Sequence, residues 1–259
     1  MTSTDERFMS QTDELAGRVA LVTGGARGIG RGIALKLAQA GADIVINFRE
    51  REDAAQEVVD WIRGMGRQAL AVKADVCHEK QVRRMRDEIS AQFGKLHIVV
   101  NNVGPFMIRP TLKMTTEEWR LMMDGNLTSA FIVARETVEL MKRTEMGGSM
   151  IFIGSPNAER VGSQSESCAY SIAKTGVVIL ALTLARDLGG KGIRVNVINP
   201  GFIENDSMTP RMREWMPHEV PLGSIGTPAN VAEAALFLAS DRAQYVTGAV
   251  LNVHGGLWI

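Results

Sequence analysis

Short β-branched and aliphatic runs alternate with longer amphipathic stretches along almost the whole chain, and this rhythm restricts the fold more than any other feature. Strands are expected at Arg18–Val22, Asp43–Asn47, Gln68–Lys73, Leu96–Asn101, Ser149–Gly154, Arg194–Ile198 and Ala249–Val253. Helical stretches fall between them at Gly28–Ala40, Asp53–Met65, Glu79–Phe93, Thr116–Arg143, Ser167–Leu188 and Pro228–Ala239. Strands separated by helices predict βαβ units, and so a parallel sheet covered on both faces. Ile98-Val99-Val100 is apolar at successive positions, as a strand buried on both faces requires. The expected architecture is α/β, a doubly wound, seven-stranded parallel sheet in one domain over residues 17–259, after a flexible arm at 1–16. Pro200–Thr227 is the one long irregular stretch, and a substrate lid is expected over about residues 201–227.

Composition narrows the classes. The 259 residues are 45% hydrophobic, enough for a sizeable core, and only 22% charged, unlike a disordered chain. The 29 basic and 29 acidic side chains leave no basic excess for nucleic acid. The longest strongly apolar stretch, Val177–Ala185, is far short of a membrane span. Met1–Leu15 is polar and acid-containing and does not read as a secretory signal. Two cysteines, Cys77 and Cys168, make no disulfide framework, and a cytoplasmic location is expected. His78, His97, His218 and His254 lack ligand spacing, so no metal site is expected.

The first expected strand runs into Thr23-Gly-Gly-Ala-Arg-Gly-Ile-Gly30 and then into a helix. Gly24, Gly28 and Gly30 let the backbone turn tightly and approach a pyrophosphate, which the helix N-terminus favours electrostatically. Strand before and helix after point to a Rossmann-type dinucleotide site. NAD sites place a carboxylate at the end of the second strand, on the ribose 2′-hydroxyl. Asn47, Phe48 and Arg49 stand there instead, and Arg27 lies within the glycine turn. Guanidinium groups suit a 2′-phosphate, so NADP(H) is the expected cofactor. NAD(H) stays open, because Glu50 and Glu52 could turn inward.

The Thr-Gly-x-x-x-Gly-x-Gly spacing resembles the short-chain dehydrogenase/reductase family. Further motifs follow in the family's order from about residue 17 to the end: Asn101-Asn102-Val103-Gly104, Asn126, Ser155, Tyr170-Ser-Ile-Ala-Lys174, Pro200-Gly201 and Thr247-Gly248 through Gly255-Gly256. The layout is most similar to 3-oxoacyl-[acyl-carrier-protein] reductases. The resemblance implies that Asp75 and Val76 flank the adenine and that Asn102, Val103 and Gly104 support the cofactor. It further implies that Thr23 and Ile29 belong to the glycine-turn site and that Ile203 meets the carboxamide. Tyr170 and Lys174, four apart on a helix, share one face, and an ammonium beside a phenol lowers its pKa. By resemblance Tyr170 exchanges the proton, Lys174 also bonds the nicotinamide ribose, Ser155 orients the substrate oxygen and Asn126 holds a water linking Lys174 to solvent. The implied reaction is reversible reduction of a ketone, with a 3-oxoacyl thioester as the leading substrate and a small cyclic ketone, steroid, sugar or quinone as the alternative. A non-catalytic dinucleotide sensor and an isomerase or epimerase are the competing classes.

Three departures from the family's pattern bear on the site. The Ser155–Tyr170 interval is about two residues long, which keeps Ser163, Ser165 and Ser167 as lesser candidates. Val103 stands where alanine is usual, and Asn205 where a threonine is expected. Met208, Met212, Trp215, Met216, Phe106 and Met107 suit an adaptable apolar pocket. Arg109, Arg160 and Arg211 are candidate contacts for an anionic or carrier-bound substrate, and Lys142, Arg143 and Lys191 for an acyl carrier protein. Cys168 reads as a packed thiol. Apolar helical surface in Thr116–Arg143 and Ser167–Leu188 leads, with the resemblance, to an expected homotetramer.

Overall fold

The computed structural model describes residues 13–145, 147–160, 162 and 166–258. Seven parallel strands form one sheet: β1 (Val19–Val22), β2 (Asp43–Phe48), β3 (Ala69–Lys73), β4 (Ile98–Asn101), β5 (Gly148–Ile153), β6 (Ile193–Pro200) and β7 (Val250–Val253). Their spatial order is β3-β2-β1-β4-β5-β6-β7. The chain winds outward from β1 one way and from β4 the other, so a crevice opens where the carboxyl ends of those neighbours diverge.

Alternation along the strands sorts the core into two layers. Ala20, Val22, Ile44, Ile46, Ile98 and Val100 pack beneath α1 (Gly28–Gln39), α2 (Glu52–Gly64) and α8 (Pro228–Ala239). Val19, Leu21, Val45, Val99, Met150 and Phe152 pack beneath α3 (Glu79–Phe93), α5 (Ser129–Met141) and α6 (Cys168–Gly189). Fully buried side chains such as Leu21, Ile44 and Phe152 each stabilise the fold by about 1.5–3 kcal/mol.

Three expectations need correction. The stretch Thr116–Arg143 is not one helix. It comprises α4 (Thr116–Met123) and α5, joined by a π-helical turn at Asp124–Thr128. Side chains enter the hydrogen-bond ladder there: Asn126 Nδ2 donates to the Met122 carbonyl at 2.9 Å, and Ser129 Oγ to that of Gly125 at 2.8 Å. Pro200–Thr227 is not wholly irregular, since α7 (Pro210–Glu219) lies within it. Thr209 caps α7 by accepting from the Met212 amide, and Pro210 opens its first turn, a signal legible in the Thr-Pro pair. The folded body also begins before residue 17. Leu15 is fully buried and its amide donates to the Ala40 carbonyl at 2.7 Å, while the rest of the expected arm, residues 1–12, lies outside the described residues.

Among the described residues, α6 is long and apolar enough to cross a membrane by length and composition. It covers the sheet instead, burying Ala173, Val177, Ala181, Ala185 and Leu188.

His97, just before β4, is buried, and its Nδ1 accepts from the Val19 amide at 3.0 Å. Burial, with Lys95 and Arg18 nearby, pushes its pKa down to about 4. The folded chain therefore refuses a proton that the unfolded chain accepts between the ordinary value of 6.5 and about 4. Stability should fall as the pH drops through that window, by roughly 3 kcal/mol at most from this group. Thermal melts across pH should show a shallower loss for His97→Gln than for the parent chain. Equal slopes would remove His97 from the account.

Candidate active site

The crevice at the carboxyl ends of the strands is a cleft of about 2400 Å³. Its upper wall is the glycine turn between β1 and α1. Gly24 and Gly28 have φ of +62° and +53°, a region that side-chain-bearing residues rarely enter. Gly30 packs so tightly on the Gly24 carbonyl that a Cβ there would overlap it. Thr23 Oγ1 accepts from the Asn102 amide at 2.9 Å, and Asn102 Nδ2 donates to the Thr23 carbonyl at 2.9 Å. These bonds tie the end of β4 to the turn. Asn47, at the end of β2, does the same on the other side, accepting from Gly24 N at 3.4 Å and donating to the Ala74 carbonyl at 2.9 Å. That role of Asn47 was missed from sequence. Its one signal is an amide in an otherwise apolar buried strand.

The turn fits a dinucleotide pyrophosphate. Arg27, the N-cap residue of α1, makes no side-chain cap, and a Cβ on Gly28 would meet nothing, so the first amides of α1 face open space. Gly24, Arg27, Gly28, Ile29, Arg49, Asp75, Val76, Asn102, Val103, Gly104, Pro200, Gly201 and Ile203 all border the cleft. Thr23 and Gly30 stand one layer behind it. Arg27 is exposed, and Arg49 leans on Glu50 at 2.8 Å and on Asp75 at 3.9 Å. Burial works against the Asp75 carboxylate, yet hydrogen bonds from Cys77 and the charges of His78 and Arg49 hold its pKa below the ordinary value.

Ser155, Tyr170 and Lys174 meet on the floor of the cleft. Ser155 follows β5, while Tyr170 and Lys174 lie one turn apart on α6. The Ser155 hydroxyl lies close enough to the Tyr170 phenol to work against the rise of its pKa, and both line the cleft. Ser167 also borders the cleft, whereas Ser163 and Ser165 lie outside the described residues. Lys174 is 4% exposed, and its Nζ donates to the Ile153 carbonyl at 2.7 Å. Burial pushes the Lys174 pKa down to about 8. The same cause pushes Tyr170 up to about 12, against the influence of Ser155. The expected acidification of the phenol by Lys174 is therefore absent from this state. The ammonium lies 5.8 Å from the phenol ring centre and is engaged by the strand carbonyl.

Asn126 is 1% exposed in the π-helical turn. Its Nδ2 donates to the Pro105 and Met122 carbonyls, both at 2.9 Å, while its buried Oδ1 has no partner. A Cβ on Gly104 would overlap that Oδ1 and stand 3.0 Å from Lys174 Nζ. Both polar atoms thus border one small space, of the kind a bridging water fills.

The other candidates separate. Arg109 is taken up by Glu118 at 2.6 Å, while Arg160 and Arg211 are exposed off the cleft lining. Lys142, Arg143 and Lys191 follow the carboxyl ends of α5 and α6, at the opposite end of the sheet from the cleft, so an acyl carrier bound there would face away from it. Asn205 spends its amide on the Ile203 carbonyl and on Ser207.

Doubly wound sheet, glycine turn and the Ser155–Tyr170–Lys174 floor define an oxidoreductase of the dinucleotide-binding class. The family model described as "Enoyl-(Acyl carrier protein) reductase" matches residues 24–258. A 3-oxoacyl-[acyl-carrier-protein] reductase of Staphylococcus aureus is 35% identical, over 93% of this chain and 98% of its own. A 3beta-hydroxysteroid dehydrogenase of Eggerthella lenta is 35% identical over 95% of each. The crystal structure of a blue fluorescent protein from a metagenomic library, in complex with NADPH, superposes with a TM-score of 0.88 at 34% identity, covering 95% of this chain and 100% of the other. The chain belongs to the short-chain dehydrogenase/reductase family.

Two outcomes are expected of this geometry. In the free enzyme kcat/KM for reduction should fall as the pH rises through about 8, where Lys174 loses its proton while Tyr170 keeps its own. A profile level to pH 10 would contradict it. Gly104→Ala should lower kcat by about tenfold or more and also lower Tm, because its methyl group overlaps the buried Asn126 Oδ1 and displaces it from Lys174, whereas a variant with full kcat and unchanged Tm would contradict the shared space.

Proposed function

We propose that this chain reduces a ketone to a secondary alcohol, reversibly, with NADPH. The observation that carries the reading is the meeting of the Ser155 hydroxyl, the Tyr170 phenol and the buried Lys174 amine on the floor of the cleft that the glycine turn also borders. Two hydroxyls that meet in this way can converge on one carbonyl oxygen. When bound, the reduced nicotinamide supplies a hydride to the carbonyl carbon. Tyr170 donates its proton to the oxygen as charge develops there, and Ser155 orients that oxygen by a hydrogen bond. Lys174 stabilises the phenolate left behind. Asn126 Oδ1 holds the water through which Lys174 reaches solvent. The high pKa of Tyr170 keeps it protonated and ready for the reductive direction.

Arg27 and Arg49 favour NADPH over NADH. Both border the cleft, and Asn47, which stands where an NAD site carries its carboxylate, is buried and committed to the backbone. Two substrate classes fit this reaction: a 3-oxoacyl thioester, after the name of the Staphylococcus aureus relative, and a cyclic ketone, which the aromatic Phe202 and Trp215 in the 201–227 stretch favour. We also infer a cytoplasmic homotetramer. Exposed Trp119, Leu121, Phe131, Ile172, Ile179 and Leu182 on α4, α5 and α6 support the assembly, and light scattering tests it.

Tyr170→Phe should keep NADPH affinity within about twofold and lose at least about 10³-fold in kcat, measured by fluorescence titration and NADPH absorbance. Retained turnover would overturn the proton assignment. Replacing Arg27 and Arg49 together by alanine should cut kcat/KM for NADPH by about tenfold or more and leave that for NADH nearly unchanged. A parent enzyme that prefers NADH would overturn the cofactor assignment.

A further inference from the structure

Asn157 and Trp258 are the two non-glycine residues with φ in the left-handed region among those described, at +58° and +57°. They are bonded to each other, Asn157 Nδ2 donating to the Trp258 carbonyl at 3.1 Å. Asparagine enters this region readily; a bulky tryptophan stays there only when its surroundings hold it. Asn157 belongs to the long interval after Ser155, and Trp258 to the tail beyond β7. The long interval thus becomes a latch for the tail.

The latch sets the position of an indole. The Trp258 ring meets Phe202 edge to face at 5.8 Å, and Phe202 meets Trp215 in the same way at 5.5 Å. All three border the cleft that also holds Tyr170, whose own ring is met edge-on by Phe106 at 4.9 Å. Trp258 and Trp215 remain partly exposed, so area is free for a ligand. Glu204 pairs with Arg213 at 2.6 Å, which leaves the cation of this wall compensated. Stiff aromatic faces reward a rigid, apolar ligand, which loses little freedom on binding. A linear acyl chain loses rotamers and gains less from ring edges.

We propose that Trp258, latched by Asn157, is a specificity-determining residue, and that its wall with Phe202 and Trp215 selects a neutral fused-ring ketone over a linear 3-oxoacyl thioester. The inference rests on the ketone reduction proposed above. The ketone carbon gains a hydride and its oxygen a proton, and NADPH is oxidised to NADP⁺.

The test compares kcat/KM for 2-tetralone and for acetoacetyl-N-acetylcysteamine, with melting curves to check each fold. The parent should favour the ring ketone by about tenfold or more. Trp258→Ala should lower the ring-to-linear ratio by about tenfold, chiefly through KM for the ring. Asn157→Gly, which keeps the left-handed turn and removes only the amide, should lower the ratio in the same direction. The double variant should fall no further than Trp258→Ala. Preference for the thioester, or a ratio unchanged within about twofold in Trp258→Ala, would overturn the assignment. If neither ketone is reduced, the parent reading fails, and the wall is read from binding alone. Quenching of tryptophan fluorescence by 2-tetralone that weakens in Trp258→Ala supports it, and equal quenching or none overturns it.

Discussion

A lysine ammonium buried at the end of a strand has to be met by oxygen, and this requirement organises the centre of the molecule. Lys174 meets it with the Ile153 carbonyl, the last residue of β5. The helix carrying Lys174 is thereby pinned to the strand that leads to Ser155. Tyr170, one turn earlier, is brought against the serine hydroxyl as a consequence. Burial acts on the two groups in opposite directions, moving the amine down and the phenol up, because in each case it penalises the charged form. Burial therefore keeps the phenol protonated, which is the state the proposed reduction requires.

The same economy of strand-end contacts holds the glycine turn. Asn102 and Asn47 approach it from β4 and β2, each filling hydrogen bonds that a turn without side chains cannot supply for itself. Their amides leave the outward-facing backbone of the turn unencumbered. One face of this short segment is thus satisfied by side-chain amides, and the other is left open to the cleft. Asn126 Oδ1 is one of several buried polar atoms without a partner among the described residues, and such an acceptor costs about 1–3 kcal/mol unless a water meets it.

Much of this was legible before any coordinates. Strand and helix periods are local, and runs such as Ile98-Val99-Val100 declare burial on both faces. Ser155, Tyr170 and Lys174 were singled out by the resemblance to the short-chain dehydrogenase/reductase family, and the fold brings all three to one cleft. The failures have physical reasons too. The helical stretch Thr116–Arg143 carries a π-helical turn at Asp124–Thr128, where Pro105 from a distant loop packs against Gly125, a contact that the helical period does not contain. The ionisation states of Tyr170 and Lys174 depend on burial by the whole fold, so the spacing of the pair predicted proximity correctly and the direction of the phenol's shift wrongly. Arg109 looked free because its partner, Glu118, lies nine residues away across a turn.

The three departures from the family's pattern all lie at the walls of the cleft. Val103 packs beside the glycine turn and narrows the inner end of the cleft. Asn205 borders the cleft and turns its amide back on its own loop, to the Ile203 carbonyl and Ser207. The long interval after Ser155 supplies Asn157 to the tail and Glu159 to Asn199 and Asn252, at 2.7 Å and 3.0 Å. Each change removes freedom from a wall of the cleft, and none touches the Ser155–Tyr170–Lys174 floor. Constrained walls around the Ser155–Tyr170–Lys174 floor are where the proposed ring selectivity would act, separately from the proposed proton and hydride chemistry.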